Sequence, residues 1–302
     1  MTQLQSRLPQ NVGVVAIDKH LSLWKAFPKR SRTDGRLTSG KLLRVASERL
    51  PICAARSGGV SSRSVLPKAE VMRERLLRMF KAGLTHVGAR FSDPVLHRFQ
   101  IVVNYMKLGR WMAGHGYSVP KRARDRTAVF DAVAQRVRAK KVLYLEFGVF
   151  QGASMRYWSK ALAHPGAKLH GFDSFEGLPE DFDVRGPYVK GTFSTGGVTP
   201  QIDDTRVEFF KGWFEESLPK YVVPAHDVLV ICLDADLYSS TIFVLRYLKD
   251  WIRPGTFIYF DDMSRPDHEP RALDEFIAET GKTFRAVAAD YSLNTVFLEC
   301  TR

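Results

Sequence analysis

The sequence predicts an α/β chain with a Rossmann-like core, namely a mostly parallel seven-stranded sheet ending in an antiparallel hairpin and preceded by a helical N-terminal extension. Three observations predict it. Residues 142–154, VLYLEFGVFQGAS, read as a buried strand, a glycine-opened turn and a helix start. From residue 168 to 262, short apolar runs alternate with stretches of helical spacing. Finally, the strands expected at 283–289 and 294–300 are joined only by DYSLN, too short for a parallel crossover, so they should be antiparallel.

Taken in order, residues 1–64 lack sustained periodicity and mix basic residues with Ser and Gly, as in SRTDGRLTSG and ARSGGVSSRS. They are expected to form a disordered basic leader. An overextended start site also fits, and an organelle transit peptide ranks behind both. Residues 65–140 are expected to be a helical extension. Val71, Leu76, Leu77 and Phe80 fall near helical spacing, Ser92-Asp93-Pro94 is an N-cap signal, and Val129, Phe130, Val133 and Val137 mark a helix over 127–139. His97 and His115 on these helices read as structural. Residues 141–302 form the α/β domain, with strands at 168–173, 207–210, 227–234 and 256–262 and helices at 153–163, 214–221, 239–250 and from Pro270. The polar loop 177–203 is long enough to serve function rather than mere connection.

Composition narrows the function classes. The chain has 302 residues and a formal charge of +13, but residues 1–70 hold 13 Lys/Arg against 4 Asp/Glu. The basic character therefore sits mostly in the leader, and no nucleic-acid partner is expected for the core. No run approaches the length of a membrane span. Cys53, Cys232 and Cys300 lack metal-ligand spacing, and Cys232 and Cys300, in apolar strand-like runs, fit buried free thiols of a reducing, cytoplasmic setting.

Chemistry concentrates at strand ends. Gly148 and Gly152 open the turn after the first strand, where a nucleotide-like cofactor is usually cradled. Glu146 stands beside them, and a carboxylate there favours a cationic ligand over a phosphate. Asp173 ends the second strand, 25 residues after Gly148, where a carboxylate accepts from ribose hydroxyls. Asp234 and Asp236 follow the fourth strand, and Asp261 and Asp262 end the fifth. If these strands are neighbours, their carboxylates converge and call for a hard cation such as Mg²⁺. The combination suits S-adenosylmethionine better than NAD, for the turn lacks a G-x-G-x-x-G fingerprint. Methyl transfer to an alcohol would then use the metal and a nearby base to activate the oxygen.

These segments, EFGVFQGAS (146–154), GFDSFEGLPEDF (171–182), LDADLYSST (233–241) and FDDM (260–263), resemble in this order the macrocin-type (TylF-like) O-methyltransferases. Those are class I, S-adenosylmethionine-dependent enzymes that methylate sugar hydroxyls. The resemblance covers roughly residues 140–300. It implies the class I methyltransferase fold and a pocket for the cofactor's methionine part at Glu146, Gly148, Gly152 and Ser154. It further implies a ribose contact at Asp173 and Ser174, adenine packing at Gly212 and Trp213, and metal ligands at Asp234, Asp261 and Asp262. The expected partner is a small-molecule hydroxyl acceptor, a sugar or glycoside, and a homo-oligomer is compatible. The similar catechol-type enzymes carry a lysine base three residues after the first metal aspartate. Leu237 stands there in this chain, which leaves Asp234, Asp236, Tyr238 and His268 as candidate bases. Two rival readings stand beside this one. Asp234-Ala235-Asp236 matches the D-x-D of a metal-dependent glycosyltransferase, although Glu146 in the glycine turn speaks against a diphosphate. A non-catalytic pseudo-enzyme that binds through its basic leader is disfavoured by the intact acidic cluster.

Overall fold

The computed structural model describes residues 68–182 and 188–302. The expectations for the leader 1–64, and Cys53, lie outside the described residues. Contacts divide the chain between Ala82 and Gly83 into two units. Of the first, residues 68–82 are described, the beginning of helix α1 (Lys68–Gly88), with Leu76 and Phe80 exposed.

The second unit holds α2 (Asp93–Gly114), β1 (Arg122–Ala123), α3 (Arg126–Val137), β2 (Val142–Phe147), α4 (Ala153–Ala161), β3 (Lys168–Asp173) and β4 (Val207–Lys211). Next come α5 (Phe214–Ser217), a 3₁₀ turn (Leu218–Lys220), β5 (Val228–Leu233), α6 (Tyr238–Leu248), β6 (Phe257–Phe260), α7 (Glu269–Thr280), β7 (Phe284–Asp290) and β8 (Val296–Cys300). The sheet order is β1-β7-β8-β6-β5-β2-β3-β4, and β8 pairs antiparallel with both of its neighbours. The final hairpin is as expected. Arg122–Ala123 adds an eighth strand to the seven predicted, parallel to β7 with Arg122 opposite Ala289.

Strand alternation sorts the core into two layers. Leu143, Leu145 and Phe147 share one sheet face with Ile231, Leu233, Ile258 and Phe260, and α6 and α7 cover it with Ile242, Leu245, Leu273 and Phe276. Leu108 and Met112 of α2 join this layer, so α2 is built into the fold. Val142, Tyr144, Val230, Cys232 and Tyr259 face the other way, beneath Val129, Phe130, Val133 and Val137 of α3 and Met155 and Trp158 of α4. Each such side chain, once fully buried, contributes roughly 1.5–3 kcal/mol relative to exposure. Because both faces of β2 and β5 are covered, all six residues of each are buried, which is why they read as continuous apolar runs. Cys232 and Cys300 are buried free thiols.

Candidate functional site

The central strands β3, β2, β5 and β6 end side by side, and their carboxyl ends carry the acids. Parity decides where these point. Glu146 lies two residues beyond Tyr144 on β2, and Asp261 two beyond Tyr259, so both belong to the face under α3 and α4. Asp234 follows Leu233 of the opposite face and falls on the same side as Glu146. Backbone hydrogen bonds continue past the ladder, from Asp234 N to the Phe147 carbonyl (2.9 Å) and from Asp261 N to that of Leu233 (3.2 Å). The strand ends are thus held in fixed order.

Glu146 is 2% exposed and accepts from the Tyr144 hydroxyl at 2.9 Å. Burial pushes its carboxyl up to about 8. The Tyr144 hydrogen bond opposes that shift, and the nearby charge of Asp234 adds to it. Asp261 accepts from the Tyr259 hydroxyl at 2.6 Å, a second tyrosine–acid pair two residues apart on one strand face. Arg126, at the start of α3, binds the carboxylates of both Asp234 (Nη2 to Oδ2, 3.1 Å) and Asp261, and its Nη1 lies 3.4 Å from Ser154 Oγ at the start of α4.

The glycine turn is shaped by the protein's own packing. Gly148 has φ +89°, and a Cβ there would lie 2.0 Å from the carbonyl oxygen of Asp234. Gly152 has φ +75°, and its Cβ would meet Pro200 Cγ at 2.9 Å. Asp173 holds the turn from the next strand. Its Oδ2 accepts from Val149 N and Phe150 N, both at 2.8 Å, while Oδ1 accepts from Phe175 N at 2.7 Å. Sequence reasoning placed Asp173 at the ribose; within the chain it organises the backbone amides of the turn. Ser174 Oγ accepts from Glu176 N at 3.1 Å. Gly212, whose N–H donates to the Asp173 carbonyl at 3.0 Å, and Trp213 lie just after β4, on the same carboxyl edge.

The loop after β5 carries Asp236, buried and at φ +60°, which an aspartate tolerates better than most residues. His268 precedes α7, takes the Tyr238 N–H at Nδ1 (3.2 Å) and sets its ring edge-on to Phe182. The Tyr238 hydroxyl donates to Glu275 at 2.6 Å, turning this side chain toward α7. Asp262 is buried, and its backbone N–H donates to Glu269 Oε2 at 2.8 Å. Burial, with Asp262 close by, holds the Glu269 carboxyl well above the usual carboxylate range. Asn294, buried before β8, donates to the Asp261 carbonyl (2.8 Å) and accepts from Ser264 N (3.1 Å).

These hard carboxylate oxygens are the donor chemistry of a divalent cation, and a cationic nitrogen already sits between two of them. The donor atoms are thus of the type a divalent cation takes. The expected set is brought together only in part, since among the described residues no group of three His, Cys, Asp or Glu is placed to hold a metal ion. Arg126, Glu269 and Asn294 were missed by sequence reasoning. Asp125, an N-cap whose side chain accepts from Ala128 N, could have located the helix start and hence Arg126; the other two carried no local signal.

A family model described as Macrocin-O-methyltransferase (TylF) matches residues 115–291. Residues of this chain are 33% identical, over 140 residues, to 8-demethyl-8-(2,3-dimethoxy-alpha-L-rhamnosyl)-tetracenomycin-C 4'-O-methyltransferase of Streptomyces olivaceus, covering 39% of this chain and 51% of that protein. Identity to mycinamicin III 3''-O-methyltransferase of Micromonospora griseorubida is 31% over 98 residues, 32% of this chain and 35% of the relative. The chain thus spans about half the length of the first relative and about a third of the second. Among solved structures, the O-methyltransferase NovP aligns with a TM-score of 0.41 at 21% identity, over 67% of this chain and 100% of that one.

Proposed function

Since the chain belongs to the macrocin O-methyltransferase (TylF) family, whose model spans residues 115–291, we propose that it transfers a methyl group from S-adenosylmethionine to a hydroxyl of a sugar or glycosylated natural product. The observation that carries this reading is Glu146, a buried carboxyl group beside the glycine turn with Asp234 nearby. Such an acidic strand end suits a ligand bearing an ammonium and a sulfonium and disfavours a diphosphate. The name of the first relative, an O-methyltransferase of a rhamnosyl-bearing tetracenomycin, supports the acceptor class.

S-adenosylmethionine supplies an electrophilic methyl on a leaving thioether. The acceptor oxygen takes the methyl carbon as the carbon–sulfur bond breaks, and the hydroxyl proton must leave. In this reading the glycine turn, Glu146 and Ser154 bind the methionine part. Asp173 keeps the turn in shape and offers the remaining lone pair of Oδ1 to ribose, with Ser174 beside it, and Gly212 and Trp213 flank the adenine. Asp236, buried next to Asp234, is the base that takes the proton, while His268 positions the start of α6 through Tyr238 N. A divalent cation, when bound, would be held by Asp234, Asp261 and Asp262 and would acidify the acceptor hydroxyl.

Incubation with labelled methyl donor and a panel of glycosides tests the reading. A methyl ether should form, and Asp236→Asn should reduce transfer at least about a hundredfold, in the range general-base loss usually costs. Absence of labelled product with every glycoside, from a chain that binds the donor, would remove the acceptor class.

A further inference from the structure

Arg126 occupies an unusual place. It is the first residue of α3, capped by Asp125 through Ala128 N at 3.0 Å. The N-terminal end of a helix carries partial positive charge, so a cation in the first turn is disfavoured there. What holds the guanidinium is the acidic rim. It ties α3 to the end of β5 through Asp234 Oδ2, to the end of β6 through Asp261 Oδ2, and to α4 through Ser154 Oγ. Its Cζ also lies over the Tyr259 ring, 5.9 Å from the centroid. The Arg126 side chain keeps 31% exposure, whereas those of Asp234 and Asp261 keep 10% and 4%. The guanidinium belongs to the most exposed side chain of the three. The other oxygen of Asp261 is engaged by the Tyr259 hydroxyl.

Two features make this more than a surface ion pair. One guanidinium nitrogen serves two carboxylates from adjacent strands, the bridging position a metal ion takes between acids. Arginine also stays protonated at any ordinary pH, so only displacement can vacate the place. We propose that Arg126 is the resident counter-ion of Asp234 and Asp261, and that a divalent cation reaches these carboxylates only in competition with it. This rests on the reading of the rim as the metal and cofactor site of a methyltransferase. Arg126 offsets part of the acids' charge and keeps them in place while the site waits, and it sets how tightly a metal binds. A dication beside an unmoved guanidinium meets like-charge repulsion, and a displaced guanidinium forfeits both ion pairs. Either route lowers metal affinity.

The test is Mn²⁺ binding to the full chain, read by calorimetry and by water-proton relaxation, for the wild type, Arg126→Gln and Arg126→Lys. Binding of S-adenosylmethionine is measured on the same samples, and circular dichroism checks folding. The expected result is Mn²⁺ affinity at least about tenfold tighter in Arg126→Gln, with Arg126→Lys between it and the wild type, since a point charge on a flexible stem bridges two acids less well. The gain should vanish in Arg126→Gln/Asp234→Asn. Equal or weaker Mn²⁺ binding in folded Arg126→Gln overturns the proposal, as does absence of Mn²⁺ binding in all three chains. If Arg126→Gln does not fold, Arg126→Lys decides by the same comparison with the wild type. Failure of the wild type to bind S-adenosylmethionine would instead count against the methyltransferase reading, whatever the Mn²⁺ titrations return.

Discussion

The carbonyl oxygen of Asp234 stands 2.0 Å from the point that a Cβ on Gly148 would occupy. The glycine turn after β2 and the acid-bearing end of β5 are therefore packed backbone against backbone, with no room for a side chain. Gly148→Ala must push these strands apart and also hold φ near +89°. We expect a loss of several kcal/mol, at the severe end for a single substitution. Denaturant unfolding would show it, together with loss of cofactor binding. A stability change under about 1 kcal/mol would mean that the strand ends can separate freely.

Glu146 makes stability depend on pH. Its carboxyl is raised from 4.5 to about 8 in the folded chain. Its contribution is fully present below pH 4.5 and is lost as pH rises toward 8, because the unfolded chain has released a proton that the folded chain retains. The slope across that window is up to about 1.4 kcal/mol per pH unit. Urea midpoints at pH 5, 6, 7 and 8 should fall less steeply in Glu146→Gln than in the wild type. Binding of a cationic cofactor at pH 7 should expel the same proton, seen as calorimetric heats that vary with buffer ionisation enthalpy. Parallel midpoint curves for the two chains would refute the buried, protonated Glu146.

Asp173 leaves little tolerance for an isosteric change. Its two oxygens face three backbone N–H groups, so the amide of Asp173→Asn must point a donor at a donor on one side or the other. A cost of about 1–3 kcal/mol is expected, the range for leaving buried donors unmet. Cofactor affinity should fall with it, since the turn loses its anchor. Thermal melts and donor titrations of the variant check both parts.

Glu269 is expected to act through Asp262. Its Oε2 takes the Asp262 N–H at 2.8 Å, and it is fully buried. Glu269→Ala should cost about 1–3 kcal/mol by orphaning that N–H, while Glu269→Gln, which keeps an acceptor of the same shape, should stay within about 1 kcal/mol of the wild type. Equal losses in the two variants would show that packing volume, and not the hydrogen bond, is what matters there.

Much of this architecture was legible in the sequence because burial on both faces leaves a plain mark. The runs VLYLEF and VLVICL could be little other than central strands, and the acids that follow such runs had to lie at the carboxyl edge. The condition on which convergence of Asp234 and Asp261 depended, that β5 and β6 be neighbours, is met. Partnerships across distance stayed hidden. Nothing local names Asp234 and Asp261 as the partners of Arg126, because they lie more than 100 positions later and only the folded sheet brings them to it. Two-residue β1 has no periodicity to detect. The glycines were legible as glycines, but the cause lay elsewhere in the chain: Gly148 answers to the Asp234 carbonyl and Gly152 to Pro200. Asp173 was placed correctly at a strand end, while its hold on three backbone amides is a matter of tertiary geometry.

The central claim is that the carboxyl edge around Glu146 receives a cationic methyl donor. Calorimetric titration of the full chain with S-adenosylmethionine, and separately with UDP-glucose, tests it most directly. Saturable binding of S-adenosylmethionine, weakened at least about tenfold in Glu146→Ala, with no binding of UDP-glucose, is the predicted result; ten-fold corresponds to the loss of about 1.4 kcal/mol. Binding of UDP-glucose without any binding of S-adenosylmethionine would contradict it.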